Sequence, residues 1–386
     1  MGSFDFDSCS LDAITIKYIP DSVLKLDLVS REEIEAVTNG NPWLNEVVNT
    51  PFGTLGHVII PMTWKEFHTN QNRLVELIDK TIEFAISRKV KTIGLTGQLQ
   101  NTSYIELFND EIKKASEIDF SLGLDAVLAW QTLSLVHFVT EYDVEVKDET
   151  LYFFGIDPAY AVILKLLFDE FQNPKKIKLI HDNISEMIQL KNFIEENTNF
   201  NGKVSLIYKE NGNLLAQYNE ARFIIACGAN AIDINDVVSG TKVLSLGKIF
   251  PYDEQLAIKR IQEKKDILTL SGVSMMSSSN DTHVEFDVPV GMGRFYQAIE
   301  QASYQLNSPD RAKEKITING CQLSSLLCAV FDECKPTTSM PSIENSRNYL
   351  RRMIEADYFI NNTFNCRDYF LSHEEIEHFS SYFRQR

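Results

Sequence analysis

Residues 151–168, "LYFFGIDPAYAVILKLLF", decide the fold. An apolar run meets a single glycine, and an apolar segment at helical spacing follows, which reads as strand, tight turn and helix. Gly155 stands where a dinucleotide-binding turn has its first glycine, at a bend too tight for a side chain. Asp157 and Pro158 stand where that turn lets a diphosphate approach the backbone, and Ala161 takes the packing position. Asp followed by Pro is a strong helix start, with Asp157 as N-cap and Pro158 in the first turn. The same carboxylate lies at the electropositive helix end that a phosphate would use. The turn therefore reads as a rebuilt cofactor site or as a purely structural βα unit.

Working outward, the pattern repeats. After the strand 151–154 and the helix 159–170 come the strand "KIKLIH", a helix over 185–196, and the strands "KVSLIY", "ARFIIAC" and "TKVLSLG". Strands alternating with helices predict a parallel, doubly wound sheet. Asp182 and Asn183 follow the second strand, where an acid can hydrogen-bond a ribose hydroxyl or simply cap the next helix. No arginine follows to hold a 2′-phosphate, so NAD fits this position better than NADP. Cys227 and Gly228 end the fourth strand in small residues that leave room over a strand edge.

Upstream, "AITIKYIP" and "HVIIPMTW" read as strands, and 70–90 as a helix with Leu74, Leu77, Ile78, Ile82 and Ile86 on one face. "KTIGLTGQLQ" reads as a buried strand running into a turn. "LGLDAVLAWQTLSLVHFVTEY" predicts a long buried helix, since it has no strong polar face. Downstream, "GRFYQAIEQASYQL", "GCQLSSLLCAVFDEC", "SRNYLRRMIEADYFI" and "HEEIEHFSSYFRQR" read as helices. The expected fold class is α/β, with a Rossmann-like, doubly wound parallel-sheet domain over 148–285. An N-terminal α/β substrate domain precedes it over 1–125, with a connecting helix over 126–147, and a helical C-terminal region follows over 286–386. Linkers are expected at 143–150 and 274–283.

Composition narrows the function. The 386 residues are 44% apolar and 24% charged, with 54 acidic against 37 basic residues and a formal charge of −17. Such a surface repels phosphate backbones, which argues against a nucleic-acid partner. No apolar run reaches the ~20 residues of a membrane span, and the acidic N-terminus does not resemble a signal peptide, so a cytoplasmic location is expected. The six cysteines lack CxxC spacing, which argues for free thiols over zinc or disulfides. Cys321 follows a glycine at a helix start, where the helix end favours a thiolate, whereas Cys328 reads as a core thiol. His137 reads as a core histidine, and the two histidines of "HEEIEH" lie on different helix faces, unlike a zinc-binding pair.

The order of these segments resembles the cyanobacterial long-chain acyl carrier protein reductases, which convert fatty acyl thioesters to aldehydes. The resemblance spans roughly 50–335. "IGLTGQLQNTSY" is similar to that family's "LGGFTSI" loop, "SLGLDAVLAW" to its "TTGNTHTAY" helix start, and "LYFFGIDPAYAV" to its "VVGATGDIGSAV" turn. "GCQLSSLL" resembles the segment that carries the family's nucleophilic cysteine. The resemblance implies that Cys321 accepts the acyl group, that Thr96, Gly97, Thr102, Ser103 and Gly123 line the substrate site, and that NAD or NADP supplies hydride. Ser324 stands where the family has its glutamate, so the resemblance makes Ser324 the catalytic counterpart of the family's acid/base or orienting group, with a hydroxyl in place of the carboxylate. The implied substrate is an acyl thioester of acyl carrier protein or coenzyme A. For an acidic carrier, "NPKKIK" (173–178) and "NYLRRM" (348–353) are the basic segments on offer. Two alternatives remain open on the same scaffold: acyl transfer or hydrolysis through Cys321, and a non-catalytic partner protein. The oligomeric state, a homo-oligomer included, is open as well.

Overall fold

The N-terminal half of the chain builds a mixed sheet from β1 (Ala13–Tyr18), β2 (Trp43–Thr50), β3 (Gly53–Ile60), β4 (Thr92–Leu95) and β5 (Asp119–Ser121). In the computed structural model the order is His283–Phe286, β2, β3, β1, β4, β5. β3, β1, β4 and β5 run parallel, while β2 and the strand His283–Phe286 add an antiparallel flank. The structure describes residues 10–19, 24, 30–142, 144–209, 214–229, 231–246, 250–271, 276–277, 283–286, 317–318, 320–355, 359–360, 364–366 and 369–385. The helix expected over 293–306 lies outside them.

The second sheet consists of β6 (Thr150–Phe154), β7 (Lys176–His181), β8 (Lys203–Tyr208), β9 (Phe223–Ala226), β10 (Thr241–Ser245) and β11 (Ile267–Ser271). All its pairings are parallel, in the order β11-β10-β9-β6-β7-β8. Numbered from β6, this is the doubly wound order of a dinucleotide-binding fold, with its switch point between β6 and β9. Near-continuous apolar runs such as "TLYFF" suit it, because a parallel sheet is covered on both faces. Phe153 packs edge-on to Tyr160 and Phe154 stacks on Tyr218, which fastens the neighbouring helices to β6.

The chain divides into two units. One comprises Met1–Val127, Met276–Gln305 and Glu314–Phe359, the other Leu128–Met275, Leu306–Lys313 and Ile360–Arg386. The boundary expected at 285 falls inside the strand His283–Phe286, which pairs with β2. The region expected as one helical C-terminal segment, 286–386, is shared between both units. The helix Leu124–Thr140 begins in the first unit and continues in the second. Its hydroxyls are tolerated in a buried setting because Thr132 and Ser134 donate to the carbonyls of Leu128 and Trp130 one turn back.

The helix expected over 70–90 is Gln71–Ser87, with Leu74, Leu77, Ile78, Thr81, Ile82 and Ala85 buried. Ile86 departs from the expectation and is 50% exposed, since it lies one residue beyond the buried stripe in the last turn. No helix among the described residues is long and apolar enough to cross a membrane.

Candidate active site

Cys321 sits in the first turn of the helix Gly320–Val330. The backbone N–H groups of Cys321, Gln322 and Gly97 face its sulfur. Gly97 has φ +59°, and a Cβ there would stand 2.6 Å from the Tyr18 hydroxyl oxygen, so only glycine fits this turn. The Tyr18 hydroxyl in turn accepts from the N–H of Gln98 at 3.2 Å, which pins the segment. Thr96 donates through Oγ1 to the Ile16 carbonyl at 2.7 Å, tying the turn to the end of β1. The sequence thus brings Thr96, Gly97 and Cys321 together from positions more than two hundred residues apart.

The expected thiolate is corrected by the structure. The helix end, the three amides and Lys17 all favour charge on sulfur, yet burial outweighs them and pushes the Cys321 thiol above its ordinary pKa. At rest Cys321 is a thiol with donors already aimed at it.

A polar row lies under this helix. His57, Thr15, Gly94 and Ser121 are in register across β3, β1, β4 and β5, and Glu46 of β2 pairs with His57. Thr15 Oγ1 hydrogen-bonds His57 Nδ1. Burial first, then the charge of Lys17, holds His57 well below the ordinary histidine pKa, so the ring is neutral. Lys17, two residues along β1 from Thr15, donates to Glu46 Oε2 at 3.2 Å. Gly94 lets the helix settle closely: a Cβ there would stand 3.0 Å from Ser325 Cβ and 3.3 Å from Thr15 Cγ2. Gly123, at φ +67°, does the same against Ser324 Cβ at 3.1 Å and the Cys321 carbonyl oxygen at 3.3 Å.

Ser324 is fully buried, with its Oγ 3.4 Å from Ser121 Oγ. Ser121 Oγ also accepts the N–H groups of Gly123 and Thr337, both at 3.1 Å. Behind it, the buried carboxylate of Asp125 accepts from Thr337 Oγ1, the N–H of Ser342, Asn345 Nδ2 and Ser346 Oγ at 2.6–3.0 Å. This hub fixes the loop that packs on the Cys321 carbonyl. Thr102 and Ser103 are not among the groups gathered at Cys321; they lie exposed in the first turn of the helix Thr102–Leu107, which Asn101 caps.

Sequence reasoning missed Lys17, Glu46, His57 and Asp125. The available signal was the alternation of Thr15 and Lys17 with Ile14 and Ile16, a polar face on a strand that otherwise reads as core.

In the second unit the switch point gathers Gly155, Cys227 and Gly228. Gly155 has φ +80°, and a Cβ there would stand 2.2 Å from the Cys227 carbonyl oxygen. Gly228 also has φ +80°, with open space where a Cβ would be. Burial pushes the Cys227 thiol up to about 11.

A dinucleotide's diphosphate needs free N–H groups at the start of the next helix. Pro158 has none, and the N–H of Ala159 donates to Asp157 Oδ1 at 2.8 Å. Tyr160 N–H donates to the Asp157 carbonyl at 2.9 Å and Ala161 N–H to that of Pro158 at 3.3 Å. The chain's own acid fills the seat, so a diphosphate does not fit at this helix end.

Asn183 caps the helix Ile184–Asn197 through the N–H groups of Ser185 and Glu186, and Asp182 is exposed beside His181. Of the two basic segments, Lys178 pairs with Glu220, and Arg352 with Glu333 and Glu355, so part of their charge is used internally.

No family model matches the sequence. No curated protein matches it. Among solved structures, a shikimate 5-dehydrogenase from Listeria monocytogenes in complex with shikimate and NAD is similar at TM-score 0.34 and 9% identity, over 79% of this chain and 94% of that one. A dipicolinate synthase chain from Bacillus halodurans is similar at TM-score 0.31 and 10% identity, over 77% and 98%. A ligand-free 5-ketofructose reductase of Gluconobacter is similar at TM-score 0.28 and 8% identity, over 90% and 99%. At such scores these likenesses carry no functional weight.

Proposed function

We propose that this protein is a cysteine-dependent acyl-thioester enzyme on a dehydrogenase-like α/β scaffold. The observation that carries the reading is the Cys321 sulfur in a first helical turn, faced by the amides of Gln322 and Gly97. The thiol proton leaves to solvent and a sulfur lone pair forms the bond to the acyl carbon. The same amides suit the oxyanion that then develops, since fixed donors stabilise charge without reorganising. Collapse breaks the substrate's own carbon–sulfur bond, expels the carrier thiolate and leaves an acyl-enzyme. Water or another nucleophile then takes the acyl group.

A second reading ends in reduction of the acyl-enzyme to an aldehyde, as the sequence resemblance implies. The strand order of the second sheet and the open surface at Gly228 favour it. The filled helix end at Asp157, which denies a nicotinamide cofactor's diphosphate its usual seat, opposes it.

Hexanoyl-coenzyme A is the probe. Peptide mass mapping is expected to find the hexanoyl group on Cys321, and a Cys321→Ala protein acylated to the same extent refutes the reading. Thermal melts with NADH and with NADPH separate the endings, since a ligand at 100 times its Kd stabilises by about 2.7 kcal/mol. No stabilisation by either removes the reductive one.

A further inference from the structure

We propose that the cavity outside the carboxyl ends of β8 and β9 binds a small organic cation: an alkylammonium compound that carries an oxygen acceptor. The proposal is independent of the reading of Cys321, since every residue it uses belongs to the second unit.

The cavity measures about 370 Å³, within the ~300–1,000 Å³ usual for small-molecule sites. Lys209 follows β8 directly, and its N–H donates to the His181 carbonyl at 2.9 Å. Asp233 and Asp236 come from the loop after β9, and Asp253 caps the helix Glu254–Lys264. Ligands of parallel α/β sheets bind at this edge. The loop is a fixed wall, because the Ile232 N–H donates to the Pro251 carbonyl at 3.0 Å and Arg260 donates to the Ile234 carbonyl.

Charge selects the ligand. The carboxylates of Asp233, Asp236 and Asp253 line the cavity against one ammonium, that of Lys209. Asp233 Oδ1 accepts the Asn235 N–H at 2.9 Å and Asp253 Oδ1 the Leu256 N–H at 3.0 Å, but none of the three carboxylates is in an ion pair among the described residues. Such a lining repels a phosphate and attracts a cation. No group of three His, Cys, Asp or Glu side chains among the described residues could hold a metal ion, so the positive group it suits is organic. Ile232, Ile234 and Leu256 add an apolar wall for methylene groups.

Tyr218 separates this cavity from an ordinary set of solvated loop aspartates. It lines the cavity yet is only 2% exposed, and its ring is held by stacking on Phe154 at 5.1 Å between centroids. Its oxygen accepts the Asp233 N–H at 3.1 Å, while its own proton has no acceptor among the described residues. Buried donors are rarely left so. Burial first, and also the carboxylates of Asp236 and Asp233, push its pKa up to about 12 against the Asp233 N–H, so the phenol keeps that proton. It calls for an oxygen on the ligand.

Isothermal titration calorimetry of the full chain at neutral pH and low salt, where an alkylammonium is charged and little screened, tests this. The probes are 4-amino-1-butanol and 6-amino-1-hexanol, against 1,6-hexanediol, which lacks the charge, and hexylamine, which lacks the oxygen. The amino alcohols are expected to bind about tenfold more tightly than the diol. Asp233→Asn combined with Asp236→Asn keeps the side-chain shapes and the bond to Asn235 but removes two charges. At about threefold per exposed ion pair, it is expected to raise the Kd of the amino alcohols about tenfold. Tyr218→Phe is expected to weaken the amino alcohols about fivefold and to leave hexylamine unchanged. Circular dichroism of each variant checks that the fold survives. Absence of binding by both amino alcohols at millimolar concentration overturns the proposal, as does equal affinity for the diol or an unchanged Kd in the aspartate variant. An equal loss of hexylamine and amino alcohol binding in Tyr218→Phe would mark a packing effect and overturn the acceptor half of the proposal.

Discussion

Lys242 offers a prediction whose magnitude can be worked from the structure. It lies on β10, fully buried, and donates to the Phe138 carbonyl. Its ammonium stands 4.9 Å from the ring centre of Phe138, 5.3 Å from Tyr142, 5.6 Å from Phe223, 5.4 Å from Phe364 and 5.8 Å from Phe383. Burial pushes its pKa from 10.5 down to about 7, with Glu141 resisting and Arg222 assisting. His137 feels the same lysine and is itself depressed, mainly by burial, to about 4.

Between the two lysine values the unfolded chain binds more protons than the native one, so stability rises with pH across that window. The slope is at most about 1.4 kcal/mol per pH unit, which amounts to about 2 kcal/mol between pH 7 and 9. The aromatic faces attract the ammonium and work against the depression, so this figure is a ceiling. Urea denaturation followed by circular dichroism at pH 7 and pH 9 compares wild type with Lys242→Met. Groups that titrate alike in both proteins cancel in the difference. Wild type is expected to gain up to about 2 kcal/mol more than the variant on going to pH 9. Equal gains refute the reasoning, because a lysine that is charged in both states contributes no slope.

Gly155→Ala forces a side chain into a left-handed backbone and toward the Cys227 carbonyl, so β6 and β9 must part at their ends. A loss of about 3 kcal/mol or more in the same urea assay is expected, against about 1 kcal/mol for an ordinary glycine replacement. Asp125→Ala leaves Thr337, Ser342, Asn345 and Ser346 without their acceptor. At about 1 kcal/mol or more per stranded donor, it is expected to lower stability by about 4 kcal/mol or more. A shift below 1 kcal/mol would show that water replaces the carboxylate at little cost.

Where local pattern and tertiary demand agreed, the elements were legible. "KIKLIH" and "KVSLIY" are strands over the residues read, and the helix expected at 159–170 is Ala159–Glu170. β2 was missed because a register shift between Leu44 and Glu46 breaks the alternation that would have marked it. The helix Arg31–Thr38 was missed although its Ser30–Glu33 capping box is a local signal. The helix Glu254–Lys264 was missed because its face is narrow, with Ala257, Arg260 and Ile261 buried.

By itself the sequence determined the α/β alternation, the tight turn at Gly155 and the filled helix end that Asp157 and Pro158 make, because these follow from residues a few places apart. Only the tertiary structure decided what surrounds Cys321. Gly97 is brought to it, and Thr15, His57 and Ser121 are set in one row under its helix, by register across four strands, and no local pattern encodes register between distant segments. The net state of that thiol belongs there too. A helix start favours the thiolate, but burial is a property of everything packed around the sulfur, and here it is the larger effect.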